Sequence, residues 1–479
     1  MTVSAQVLHA FRWNAAGRIS AQLGNWLITI FVMRLLRPSD YGLMGLVAIL
    51  MALFGLVNDL GAIPSLIQRP EIDRELVRKV FGLVLLTNGF LYAVAFLGAP
   101  TYAAFFGEPQ LVAVTRVFAT TMLLEALAAV PGVLLRRELN FKAISLIDFV
   151  ATIIGSLLVL VLALRGLGVW ALVFGTLMKS LCNTLGLLAV TRFRLPPLFR
   201  FSGLHGVFSF GIKISSASIV WYFTQNVDSA LIGKFLGDHA LGLYSVAANL
   251  ATLPVTKAMQ MIQQLAFATY ARVQDDRETV IKYLLESLRL ASFIFFPTCW
   301  GMSAVAADFT TVVLGAKWQA ATPVLQIVAI GVPFRAFTML LYPLVTGTGR
   351  PEVTLKNTVT TACIVPAAVL VGIRWGLTGV CVAALIGILV STLINFDRTI
   401  RVAGAGYAPI VSVCLPSVVA AAVMYAAVVG ARSALFADLP AVTRLAATVG
   451  VGALTYAVMT MTFNRPAPAR LLQIIRGAA

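Results

Sequence analysis

Apolar runs of about 20 residues or more recur along the whole chain, and each is long enough to cross a hydrocarbon core of roughly 30 Å as a helix. They predict spans near 14–36, 40–66, 80–106, 111–134, 143–164, 167–190, 206–236, 240–268, 284–310, 322–346, 354–374, 376–396, 408–430 and 441–463. The breaks between them are short and carry turn chemistry, as in Arg37-Pro38-Ser39-Asp40, Gly107-Glu108-Pro109, Arg165-Gly166-Leu167-Gly168 and Gly347-Thr348-Gly349-Arg350-Pro351. The pattern is that of an all-α integral membrane protein with about 14 transmembrane helices. The first apolar run lacks the short core and small-residue cleavage site of a signal peptide, so it is expected to be a retained helix.

The breaks repeat. RLLRPSDYGLM at 34–44 matches KFLGDHALGLY at 234–244, aligning Gly42 with Gly242. Gly107-Glu-Pro-Gln-Leu resembles Gly315-Ala-Lys-Trp-Gln, and Arg165-Gly-Leu-Gly resembles Arg374-Trp-Gly-Leu-Thr-Gly. Three matches in one order, with one offset, separate two halves of six spans each. Six is even, so the halves are parallel repeats about an axis along the membrane normal. The expected organisation is an N-terminal lobe over 1–200, a C-terminal lobe over 201–400, and an extra helical pair with a tail over 401–479. Two six-helix lobes with a cleft between them are the form that alternating access requires.

Composition agrees: 59% of residues are hydrophobic and only 11% charged, with a mean hydropathy of +0.92. The net charge of +17 would suggest nucleic acid in a soluble protein, but no basic patch stands outside the spans, and nucleic acid is not an expected partner. The cations sort by side instead: about 22 Lys and Arg fall on one set of loops and ends, and about seven on the other. Both termini are therefore expected in the cytoplasm. The loops on both faces are short, which leaves no room for a soluble catalytic domain. Cys182, Cys299, Cys363, Cys381 and Cys414 all lie in apolar stretches and read as small buried hydrophobes. His9, His205 and His239 are scattered, so no metal site is expected. No GxxxxGK[ST] run is present, and no cofactor is expected.

Six stretches together resemble one family. RLLRPSDYGLMGL at 34–46, LGAIPSLIQR at 60–69, APTYAAFFGEPQL at 99–111, LLRRELNFKAIS at 134–145, NVDSALIGKFLGDHALGLYSVA at 226–247 and LGAKWQAATPVLQI at 314–327 are similar, in order and spacing, to the polysaccharide flippases. These are the Wzx-like branch, with colanic-acid-exporter-like members, of the multidrug/oligosaccharidyl-lipid/polysaccharide exporter superfamily. The resemblance covers roughly residues 10–400. It implies a V-shaped bundle of two six-helix lobes with extra C-terminal helices. The implied cargo is a polyprenyl-pyrophosphate-linked oligosaccharide, passed from the cytoplasmic to the periplasmic leaflet of a bacterial inner membrane for exopolysaccharide or lipopolysaccharide synthesis. A polysaccharide polymerase and export proteins are the partners it makes plausible. It supplies no catalytic motif, and the chain reads as a transporter, not an enzyme.

Ionisable side chains at membrane depth usually face a cavity or a partner. Arg18, Gln22, Asn25 and Thr29 form one polar stripe on the first span. Lys213, Ser216, Thr224 and Asp228 mark the seventh, with Trp221 beside them, and Asn249, Lys257, Gln260 and Gln264 mark the eighth. Lys179 lies on the sixth, and Arg335 and Tyr342 on the tenth. Spans one, two, seven and eight line the central cleft in the resembled family. One reading is a wet lumen in which Arg18, Lys179, Lys213, Lys257 and Arg335 attract pyrophosphate or an acidic sugar, while the amides and aromatics suit sugar hydroxyls and faces. The other is internal pairing, Lys213 with a carboxylate, Lys257 with helix carbonyls, and Lys179 with a neighbouring helix. Asp59, Glu125 and Asp228 are candidates to bind H⁺ or Na⁺ and couple the cycle to an ion gradient, with structural ion pairs as the competing role. Asp148, near a span end, can snorkel.

A small-molecule antiporter of the same superfamily would favour an acidic or apolar site, against the cationic excess here. A polytopic polymerase or glycosyltransferase would need a large outer loop, and a structural scaffold would not need interior charge. The orientation is open to direct test. In a cysteine-free background, Asp438→Cys is expected to react with an impermeant maleimide added outside spheroplasts, and Arg194→Cys only after lysis. The opposite pattern would invert the topology.

Overall fold

The computed structural model describes residues 28–58, 63, 66, 72–200, 202, 205–273, 276–347, 350–464 and 466–468. Among them, ten helical stretches are long and apolar enough to cross a membrane, and no strand occurs. The chain is a multi-pass membrane protein. Its long helices are α1 (Pro38–Gly55), α2 (Arg74–Phe106), α3 (Gln110–Phe118), α4 (Thr120–Arg137), α5 (Phe141–Leu164), α6 (Val169–Thr191), α7 (His205–Arg272), α8 (Arg277–Phe309), α9 (Thr322–Gly347), α10 (Pro351–Gly372), α11 (Gly376–Ala403), α12 (Tyr407–Ala434) and α13 (Ala441–Phe463). The expected first span, 14–36, lies outside the described residues up to residue 27. The expected fourth is the pair α3–α4, and the seventh and eighth run through α7, whose only non-helical residue is Gly237.

The polar breaks act as the sequence suggests. Pro38 opens α1, where its missing N–H goes unused, and Asp40 accepts the Arg37 N–H at 2.8 Å. Asn140 caps α5 through Ala143. Asp276 caps α8 through Thr279, whose hydroxyl and amide hold its carboxyl below the usual carboxylate range.

The chain divides into two compact units, one of residues 1–226 with 237–242, the other of residues 227–236 with 243–479. In the first unit the two matched junctions meet. A Cβ built on Gly42 would lie 1.8 Å from the Asp238 carbonyl oxygen, and one on Gly242 would lie 1.7 Å from that of Pro38. The glycines aligned by the repeat therefore contact each other's junctions reciprocally, at a distance no other residue type allows. The segment after α6 returns along α2. Leu198 N–H donates to the Arg78 carbonyl, Arg78 Nε donates to that of Pro196, and Phe193 sets its ring edge-on to Phe81 at 5.2 Å. Pro100 inside α2 cannot donate to the carbonyl of Phe96. Arg116 of α3 does so instead, at 3.1 Å, with its guanidinium 4.5 Å over the Phe96 ring.

In the second unit the last two helices are tied to α8 by polar contacts. Asp308, 1% exposed, receives Arg432 of α12 at 2.8 Å and Arg444 of α13 at 2.7 Å. Pro297 leaves the Phe293 carbonyl without its helical donor, and the Tyr456 hydroxyl of α13 supplies one at 2.8 Å. Asn464 donates to the Ser417 hydroxyl at 2.7 Å. The sequence places Arg432 and Arg444 among outer-face loop cations. Both flank a buried carboxylate contributed by a helix more than a hundred residues upstream.

Two substitutions test these contacts. Gly242→Val drives side-chain carbon into the Pro38 carbonyl and is expected to cost at least about 2 kcal/mol, or to abolish the monodisperse peak in detergent gel filtration. Asp308→Asn leaves two arginines short of their counter-ion and is expected to cost about 3 kcal/mol in a detergent melt. An unchanged melt would show that the triad does not hold the C-terminal helices.

Candidate functional site

Within the second unit, a carboxylate and a phenol on the two arms of α7 meet. Asp228 sits on the arm of α7 before Gly237 and Tyr244 on the arm after it. The Tyr244 hydroxyl donates to Asp228 Oδ2 at 2.5 Å. The other carboxylate oxygen accepts the Ser229 N–H at 2.8 Å. Tyr244 is buried, as is the Cys381 thiol from α11, while Asp228 and Arg335 of α9 are half-buried. Asp228 and Arg335 are both sequence-predicted site residues, and the structure gives Asp228 a buried phenol as its partner, tying the two arms of α7 together on either side of Gly237.

The other predicted residues divide. Lys179 of α6 stands 3.6 Å from Asp148 of α5, so among described residues it pairs with a neighbouring helix, the second of the two readings. Both groups are partly exposed, and the pair contributes little to stability. Glu125 is exposed on α4. Its neighbours Leu123 and Leu124 line an open apolar groove of about 620 Å³, together with Leu158 and Leu162 of α5 and Phe174 of α6. Asn249 and Tyr342 are exposed on α7 and α9. Arg18, Gln22, Asn25 and Asp59 lie outside the described residues, as do the side chains of Lys213, Trp221, Thr224, Lys257, Gln260 and Gln264.

Sequence reasoning missed Tyr244, Cys381 and Asp308. Tyr244 closes the repeated 234–244 string and counts there only as a matched letter. Asp308 lies two residues from the end of an expected span, where a carboxylate reads as loop.

A family model described as "Polysaccharide biosynthesis protein" matches residues 31–323. The chain is 28% identical to the teichuronic acid biosynthesis protein TuaB of Bacillus subtilis over 57% of either chain, so it spans little more than half of that relative's length. It is 23% identical to the succinoglycan biosynthesis transport protein ExoT of Rhizobium meliloti, over 99% of this chain and 97% of that one. Among solved structures, the lipid II flippase MurJ in an inward closed conformation superposes with a TM-score of 0.74 over 95% of this chain and 99% of that one, at 14% identity. That likeness is one of fold.

The carboxylate–phenol bond is testable without any cargo. Tyr244→Phe removes one oxygen and leaves the ring, and is expected to lower stability in a detergent melt by about 1 kcal/mol. Combined with Asp228→Asn, it should cost less than the sum of the two single changes. Strict additivity would show the two groups to be uncoupled.

Proposed function

The chain belongs to the polysaccharide biosynthesis protein family, and from that membership we propose that it is a flippase of the bacterial inner membrane, moving a polyprenyl-pyrophosphate-linked oligosaccharide from the cytoplasmic to the periplasmic leaflet. The observation that carries this reading is a near full-length match to a protein named for polysaccharide transport, joined to the fold of a lipid flippase. The sequence supports it further. Two parallel repeats suit alternating access, the short loops leave no catalytic domain, and the cations of the spans suit a phosphate-bearing head group. In this reading Arg18, Lys213 and Lys257 offer charge to the pyrophosphate. Gln22, Asn25, Trp221, Gln260 and Gln264 offer amides and a ring to the sugars, and the prenyl tail stays in the bilayer.

Asp228 is the favoured site for coupling to H⁺ or Na⁺. Its carboxylate already holds Tyr244 in a bond that neutralisation weakens, which links an ion-binding event to a helix contact within the second unit. Glu125 and Asp59 are secondary candidates. The lobes of the proposed cycle are 1–200 and 201–400, with 401–479 as the added helical pair, and both termini are cytoplasmic. A polymerase and export proteins are the proposed downstream partners.

In a deletion strain, lipid-linked oligosaccharide is expected to accumulate in the inner leaflet, inaccessible to an impermeant probe on spheroplasts. Wild type should restore outer-leaflet exposure, and Lys213→Ala and Lys257→Ala should restore it at least about tenfold less well, as expected on losing one charge-assisted contact. If the repeat unit reaches the outer leaflet without the protein but stays unpolymerised, the protein acts after translocation and the flippase reading fails.

A further inference from the structure

One cavity lies apart from every residue assigned above. It measures about 320 Å³ and sits where α8 and α10 begin and α11 ends. Arg277, Arg350 and Arg401 line it, with Thr399, Ala403 and Gly404, and no acidic residue is among its described lining residues. The three arginines are exposed, and all belong to the loop set that carries the excess of cations. They therefore stand at a membrane surface, not at its centre.

Two of these guanidiniums are fixed in place. Arg277 donates from Nε to the Ala403 carbonyl at 3.2 Å and from Nη2 to that of Gly404 at 2.8 Å, while Arg350 Nη1 reaches the Val402 carbonyl at 3.4 Å. These bonds occupy the last carbonyls of α11, which have no helical donor. A guanidinium carries more donors than these carbonyls use, so each arginine is held rigid with N–H groups to spare. Gly404 is part of the arrangement. Its φ is +69°, and a Cβ there would lie 1.4 Å from Arg277 Nη2, so the guanidinium lies directly against bare backbone. Arg401 is held differently, by Asp397 at 2.9 Å. On the floor, buried Thr399 accepts from Asn357 at 3.1 Å.

We infer that this pocket binds the phosphate of an anionic lipid headgroup at the membrane surface. A fixed pair of guanidiniums and a third at the rim are matched to phosphate oxygens, and basic pockets between membrane helices at this level suit such headgroups. The inference does not depend on the proposed cargo. Bulk phospholipid and a pyrophosphate-linked lipid share the recognised group, and the experiment separates them.

Purified full-length protein in detergent is titrated with phosphatidylglycerol or with zwitterionic phosphatidylethanolamine, and bound lipid is counted by native mass spectrometry. Wild type is expected to favour phosphatidylglycerol by about tenfold, and Arg277→Gln with Arg350→Gln is expected to lose that preference. Because the double change also uncaps α11, Arg401→Gln, which releases no helix carbonyl, is run beside it. It should weaken phosphatidylglycerol binding severalfold with no change in the lipid-free melt. A polyprenyl pyrophosphate that displaces phosphatidylglycerol from wild type would add the pyrophosphate lipid as an occupant, and its failure to compete would leave bulk phospholipid as the sole occupant. Equal retention of phosphatidylethanolamine, or unchanged phosphatidylglycerol binding in both sets of variants, would overturn the inference.

Discussion

A backbone carbonyl inside hydrocarbon has no water to turn to, and most of this protein's polar side chains are placed as that requirement dictates. Proline makes the demand visible. Each proline inside a helix leaves the carbonyl four residues before it without a donor. For Pro100 the donor is Arg116, and for Pro297 it is Tyr456. Helix ends make the same demand, met at the close of α11 by Arg277 and Arg350. Tyr102 and Tyr222 place hydroxyls on the Leu46 and Ile49 carbonyls of α1, at 2.8 and 2.6 Å. Among the described residues, side chains therefore meet backbone more often than they meet one another, as in soluble proteins, but with far more at stake for each carbonyl.

This explains which parts of the architecture were legible in the sequence. Span positions follow from apolar run length, a one-dimensional property, and the helices from α1 to α13 fall close to the expected runs. The repeat was legible because its junctions retain glycine where backbones cross. The destinations of charged groups were not. Nothing near Arg116 in the sequence marks its partner, the Phe96 carbonyl twenty residues upstream that Pro100 leaves without a donor. Nothing local marks Arg432 and Arg444 as partners of Asp308, because the pairing depends on how α12 and α13 pack on α8. Lys179 offered two readings, and only the packing of α5 on α6 brings Asp148 within 3.6 Å.

The candidate site shows the same division. Asp228 was recognisable as an acid in an apolar run, and Arg335 as a cation in another. The partner of Asp228 is Tyr244, a residue type too ordinary in membrane helices to single out. The Asp228–Tyr244 contact spans the one non-helical residue of α7, so the break in the helix and the pairing across it form one local unit.

The reciprocal seating of Gly42 and Gly242 also bears on descent. Contacts in which a surface patch meets its own equivalent are the mark of an isologous dimer, and here both partners are encoded in one chain. In a homodimer, a single nucleotide change alters both sides of such a contact at once. Within one chain each side mutates alone, while the other remains as it was. A larger residue at 42 can then be accommodated only by retreat of the backbone near 238. Substitution at this crossing is thus constrained from both sides at once.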